Sequence, residues 1–280
     1  MTALDPVMTS LDHIVFNTQD RTDEVVALFE RLGFTVSPRG FHTLGSVNHT
    51  IVFGTDYLEL LGYPPGQPPA KRPELVTQPL GLMATVLQTA DADAAHAGLS
   101  QRGLKPRAVQ SFSRPVDLGV RPSGHSSFGD ATFRVTRLEP DVVPGTWVYY
   151  CQHLTPDLVW HPPWQIHANG ALGMRAIDIA VSDLAAALPR YRACIFDDAI
   201  ETVGASGSQA TLPLRNSVIR LRQQDGPARM TGITFEIASL DTAQKILRRA
   251  NIAHEMAGRS IRIDPAATFG ATLQLTALAR

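Results

Sequence analysis

Cysteine is scarce: the 280 residues contain two, Cys151 and Cys194. At most one bridge can form, which excludes a disulfide-built secreted domain and makes both residues expected buried thiols. Charge of one sign is missing as well. Twenty-five Lys plus Arg stand against 26 Asp plus Glu, a formal balance of −1, so no basic field gathers nucleic acid or an anionic membrane. No stretch approaches the roughly 20 apolar residues of a membrane span. The opening MTALDPVMTSLDH lacks a basic start followed by an apolar run, and the expected location is cytoplasmic. What the chain does have is core material. With 44% hydrophobic and 18% charged residues, it can fold as one large or two small domains.

A four-fold repeat organises the sequence. Leu11 to Asn17 (LDHIVFN) reads as a strand. Thr22 or Asp23 then caps a helix with Val25, Leu28, Phe29 and Leu32 at helical spacing, closed by Gly33. Strand-like stretches follow at Thr35 to Ser37, Asn48 to Phe53 and Asp56 to Leu61, completing a βαβββ unit. A second unit runs from the strand Leu82 to Thr89 through a helix, Ala92 to Arg102, capped by Asp91 and ended by Gly103. Its remaining strands are near Ala108 to Phe112, Ala131 to Leu138 and Trp147 to His153. A third opens at Arg175 to Val181 with Ser182 or Asp183 as cap, and Pro189 predicts a kink or a late start in its helix. The fourth has a strand at Thr231 to Ile237, a helix at Asp241 to Ala250 and a last strand at Ala271 to Leu278. The expected division is an N-terminal domain of two units (residues 1–154), a Pro- and Trp-rich linker (155–171) and a C-terminal domain of two shorter units (172–280). Pro64, Pro65, Pro68, Pro69 and Pro73 mark an extended spacer between units one and two.

The runs LDHIVFNTQD, LFERLGF and FHTLGSVNHTIVFGTDYLELLG, with CQHLTPDLVWHPPWQIHANGA further on, resemble the glyoxalase-like domain family of the vicinal-oxygen-chelate superfamily. That superfamily includes glyoxalase I, extradiol dioxygenases and antibiotic-resistance proteins. The resemblance implies an α+β fold in which tandem βαβββ modules form cupped, partly open mixed β-sheet barrels with helices outside. It further implies a divalent metal (Zn, Ni, Mn or Fe) in the cup, held from the first and last strands of each module.

Strand alternation locates the candidates. If Ile14 and Phe16 lie under the helix, His13, Val15 and Asn17 face the cup; if Leu58 and Leu60 do likewise, Tyr57, Glu59 and Leu61 face the same cavity. A mid-strand carboxylate flanked by Leu and Tyr needs a metal, a cation or a hydrogen-bond network to be buried. Glu59 is therefore the candidate catalytic group, as ligand or proton-transfer base, and His13 and Glu59 are the candidate metal ligands. In unit two, LMATVLQTAD puts Ala84 where a second histidine would stand. Matching YLEL to YCQH puts Gln152 opposite Glu59, with Gln152 or His153 as third ligand. His42, Asn48, His49, Tyr57 and Gln152 are the candidate substrate contacts. His125 lies in a Gly/Ser loop that reads as a lid or as plain surface, and His153 and His167 read equally as linker anchors. In units three and four, Ala176, Gly232 and Gln274 stand at the matching positions and leave those units to cover, brace or dimerise the functional half.

Two functions follow. The leading expectation is a metal-assisted isomerase, lyase or ring-opening enzyme on a small oxygenated metabolite. An Fe(II) dioxygenase requires two histidines and a carboxylate, and Ala84 counts against it unless His42, His49 or His153 substitutes. The alternative is a metal-free small-molecule binding or sequestration protein. A homodimer is the commonest soluble assembly and stays open.

Overall fold

In the computed structural model, residues 9–120, 126–195, 202–204 and 207–278 are described. His125 lies outside them. The first unit comprises β1 (Leu11–Gln19), α1 (Thr22–Arg31), β2 (Gly40–Phe41), β3 (Val47–Val52) and β4 (Tyr57–Gly62). A short helix α2 (Glu74–Thr77) interrupts the Pro-rich connection. The second unit comprises β5 (Gly81–Gln88), α3 (Ala92–Gln101), β6 (Gln110–Val120), β7 (Ser126–Arg137) and β8 (Trp147–His153). The second half repeats this with β9 (Ala171–Val181), α4 (Leu184–Ile195), β10 (Thr202–Val203), β11 (Gln209–Pro213) and β12 (Val218–Gln223). Then come β13 (Arg229–Ile237), α5 (Leu240–Arg249), β14 (His254–Ala257), β15 (Ser260–Ile263) and β16 (Thr272–Ala277).

Each half is one eight-stranded mixed sheet, ordered β2-β3-β4-β1-β5-β8-β7-β6 and β10-β11-β12-β9-β13-β16-β15-β14. The two modules of a half join through their first strands, which run antiparallel (β1 with β5, β9 with β13), while each first strand lies parallel to its own module's last strand. The expected strand at Thr35 to Ser37 does not form. Pro38 has no N–H to give a ladder, and the pairing falls instead to the two residues of β2. The helix across Pro189 is continuous, not delayed. Side-chain caps act where Asp91 accepts the N–H groups of Asp93 and Ala94, at 2.9 and 3.1 Å, and where Ser239 accepts that of Thr242.

Alternation sorts each strand. Ile14, Phe16, Leu58 and Leu60 are buried with Val25, Leu28 and Phe29 of α1. The helix-side faces of both halves share one core: Phe34 and Phe53 lie 5.0 and 5.7 Å from Phe235, ring centre to ring centre. The other face of the first sheet curls until its edge strands approach. His42 stands edge-on to Phe112, and Arg114 of β6 lies against Gly40 of β2. That nearly closed barrel is the cup.

Candidate functional site

The cup holds a cavity of about 50 Å³. His13, Val15, Tyr57, Glu59 and Leu61 line it from the central strands, as the period-two pattern requires, and Asn48 and Thr50 line it from β3 and His42 from the loop between β2 and β3. Glu59 Oε1 accepts Asn48 Nδ2–H at 2.6 Å, and Glu59 Oε2 is 3.8 Å from His13 Nε2. The His13 ring stacks on Tyr57, 4.3 Å between centres. Burial alone pushes the Glu59 carboxyl up. His13, His42, the Asn48 hydrogen bond and Arg114 outweigh it and hold the group below its ordinary value. Burial moves His42 down to about 4, so its imidazole is neutral at about pH 7 and its charge bears on Glu59 only in acid.

Asp12 is the residue that alternation does not reach. Leu11 faces Leu87 while His13 faces Val86, so Asp12 is the extra residue of a β-bulge. The bulge sends Leu11 to the helix-side core and frees the Asp12 carboxylate to reach two histidines. Its Oδ1 accepts His13 Nδ1–H at 2.5 Å and His153 Nε2–H at 3.0 Å. Burial raises this carboxyl, but the charges and hydrogen bonds of His153 and His13 more than reverse that and bring it to about 2. Asp12 is thus a fixed, fully buried anion that sets the tautomer of His13 and leaves Nε2 facing Glu59.

Three candidates sit elsewhere. Gln152 points away from the cavity, where its Oε1 accepts the Ala92 N–H and its Nε2 donates to the Ala90 carbonyl, fastening the start of α3. His49 lies on the opposite face of β3 from Asn48. Its Nδ1–H donates to the Ser37 carbonyl and its Nε2 accepts from Arg39. His167 ties the inter-half linker to the first module, donating to Val52 O and accepting from Thr35 N. His153 stands behind His13 among the rings of Phe133 and Trp160.

Strand register fixes what corresponds to Glu59. His13 pairs with Tyr57 and Val15 with Glu59; Ala84 pairs with Trp147 and Val86 with Tyr149. The second module's counterpart of Glu59 is therefore Tyr149, two residues before Cys151, because β8 runs on past the point where β4 stops. Tyr149 lines the cavity, and so do three buried arginines: Arg72 from the Pro-rich connection, Arg114 from β6 and Arg137 from β7. The connection expected to be a bare spacer thus supplies a wall residue.

The profile of the glyoxalase-like domain family matches residues 11–195. The chain belongs to that family. Its fold is that of the vicinal-oxygen-chelate superfamily. It is similar to a hypothetical protein from Staphylococcus aureus, with 12% identity, a TM-score of 0.70 and coverage of 97% of this chain and 100% of that one. It is also similar to a xylose isomerase-like TIM barrel/4-hydroxyphenylpyruvate dioxygenase fusion protein, with 12% identity, a TM-score of 0.60 and coverage of 97% and 50%. At such identity these likenesses show the fold alone, and this chain spans half the length of the fusion protein. No curated protein matches the chain in sequence.

Two places in this glyoxalase-like domain bear on a metal. At the positions the family resemblance implied, the donor set is His13, Ala84, Glu59 and Tyr149. Ala84 has no ligand atom, burial raises the Tyr149 phenol to about 12, Glu59 Oε1 is taken by Asn48, and Arg114 adds positive charge. That set does not fit a divalent ion. Behind His13, ligand atoms of Asp12, Cys151 and His153 lie within 4.8 Å of one another. This grouping could hold a metal, and Asp12 Oδ2 and His153 Nδ1 are buried there without a hydrogen-bond partner. Burial pushes the Cys151 thiol well above its ordinary value, so an ion held there would itself have to displace the thiol proton. Cys151 and Cys194 are both buried and unpaired. No helix among the described residues is long and apolar enough to cross a membrane.

Proposed function

We propose that the N-terminal cup is the active site of an isomerase or lyase that moves a proton on a small oxygenated metabolite. The 2.5 Å contact between Asp12 Oδ1 and His13 Nδ1 carries the reading, because it leaves His13 Nε2 and Glu59 Oε2 facing one another in the cavity. Glu59 is ionised and has one oxygen steadied by Asn48. It takes a proton from a carbon next to a carbonyl, and the C–H electron pair stays on the substrate as an enolate. Asp12 stabilises positive charge on His13 as the proton passes to Nε2. Where the reacting carbon bears a hydroxyl, the proton returns to the former carbonyl carbon while the hydroxyl proton passes to the other oxygen, giving an isomer; loss of a leaving group from the enolate gives a lyase product.

The reading predicts that the protein exchanges enolisable hydrogens of hydroxyacetone, dihydroxyacetone or pyruvate for deuterium in D₂O, followed by proton NMR. Glu59→Gln lowers that rate by about 100-fold or more. Exchange at the background rate for every compound that binds, or exchange indifferent to Glu59→Gln, would contradict it.

The unpartnered Asp12 Oδ2 and His153 Nδ1 favour a second reading, a metal behind His13. Elemental analysis of protein prepared without chelator or a histidine tag separates the two. Stoichiometric metal lost in Cys151→Ala but kept in Glu59→Gln supports the second reading. Metal unaffected by Cys151→Ala removes it.

A further inference from the structure

The two walls of the cup differ in kind. The first module supplies acceptors and bases, Glu59 and His13; the second supplies donors. Arg114 is 4% exposed, and its guanidinium makes no hydrogen bond or ion pair with any described residue. The other two arginines have companions. Arg72 pairs with Glu74, while Arg137 donates to Gln110 at 3.0 Å and stands 5.2 Å from the centre of the Tyr149 ring. The Tyr149 hydroxyl is buried with no acceptor. A buried cation and a buried phenol lacking acceptors cost stability, and they are the groups that an incoming anion satisfies.

Glu59 does not fill that role. Its charge acts on Arg114, but the two make no ion pair, and Glu59 is already committed to Asn48. Gly40 holds the arrangement open: a Cβ there would stand 3.0 Å from Arg114 Nη1 and collide with Asn48 Oδ1. A cavity of about 50 Å³ holds a few waters at roughly 10–15 Å³ each, the size of a short organic acid.

We infer that this site recognises the carboxylate of a small 2-keto acid through Arg114, with Tyr149 and Arg137 beside it, and presents the C–H carbon on the far side of the keto group to Glu59. The assignment of the reacting carbon rests on the proton-transfer reading; the binding of the anion does not. A guanidinium fork matches a carboxylate with two parallel hydrogen bonds. Held there, the carboxylate lies near Asn48, the residue that steadies the base.

The test is calorimetric titration of the full chain with pyruvate, its uncharged isostere pyruvamide and inorganic phosphate. The wild type binds pyruvate at least about tenfold more tightly than pyruvamide and more tightly than phosphate. Arg114→Met removes the preference, and its melting temperature reports whether the variant keeps the fold. Arg114→Lys gives an intermediate affinity and keeps the test decisive if the Met variant does not fold. Equal affinity for pyruvate and pyruvamide, or pyruvate affinity unchanged in both Arg114 variants, overturns the inference; tighter binding of phosphate overturns the carboxylate assignment. Glu59→Gln separates the two claims. Arg114-dependent pyruvate binding without Glu59-dependent methyl exchange refutes the proton-transfer reading alone. Glu59-dependent exchange of an uncharged ketone with no preference for pyruvate refutes the carboxylate inference alone.

Discussion

Asp12 works through two hydrogen bonds. It is fully buried, and it is the common acceptor of His13 and His153. Asp12→Ala leaves two imidazole N–H groups buried without an acceptor and should cost about 3–5 kcal/mol, measured by urea denaturation. A loss under 1 kcal/mol would mean that the carboxylate is not their anchor. At this scale the sequence discloses His13, Tyr57 and Glu59, because strand alternation holds through LDHIVFN and DYLELL. It hides Asp12, because a bulge breaks the period there. It misdirects on Gln152, because YLEL corresponds to WVYY of β8 and not to YCQH. Arg114 gives no signal at all: SFSRPVD carries neither an unbroken apolar alternation nor a motif, and only the curling of the sheet brings it opposite Glu59.

Among the elements, β2 and β6 decide whether the cup closes. Neither edge carries an unbroken apolar pattern, so sequence periodicity marks both weakly; β2 is two residues, and the longer β6 contains Pro115. Gly40 is required by close approach, not by its backbone angles. Gly40→Val drives a branched side chain into Asn48 and Arg114. It should destabilise the fold by about 1–3 kcal/mol and weaken pyruvate binding, read by urea denaturation and calorimetry on the same protein. Unchanged stability and affinity together would show that the seam between β2 and β6 is open. The central strands β1, β4, β5 and β8 are legible for the opposite reason. They are buried on both faces, and nearly every position carries the pattern.

Across the whole molecule, the two halves share one core, and Asp56 sits at their junction. Its Oδ1 accepts the Met174 N–H of β9 at 3.0 Å, and Thr55 donates to Oδ2. Burial raises its carboxyl to about 7, with Asp12 adding to the rise and Met174, Thr55 and Arg175 opposing it. The folded chain therefore holds a proton that the unfolded chain has released, so this group's contribution is full below about pH 4 and is lost as pH rises through about 7. His42, lowered to about 4 by burial, acts oppositely: its contribution is present above about pH 6.5 and is lost as pH falls toward 4. Comparing Asp56→Asn with wild type isolates Asp56. The stability difference should move in the variant's favour between pH 4 and pH 8 by up to about 4 kcal/mol. A pH-independent difference would contradict the assignment.

The four-unit repeat was readable at this scale, and so was the poverty of the second cup. Register puts Arg220 and Gln274 at the places of Glu59. Arg220 is held by Asp178 and Thr234, and Gln274 by Ser260 and Thr276. On the proposed reading, the second half braces a first half that carries the chemistry.

That asymmetry is tested most directly by the rate at which saturating pyruvate exchanges its methyl hydrogens in D₂O. The account predicts exchange above background in the wild type, abolished in Glu59→Gln and Arg114→Met, and preserved in Gln274→Ala of the second cup. Exchange that survives Glu59→Gln, or that disappears in Gln274→Ala, would contradict it.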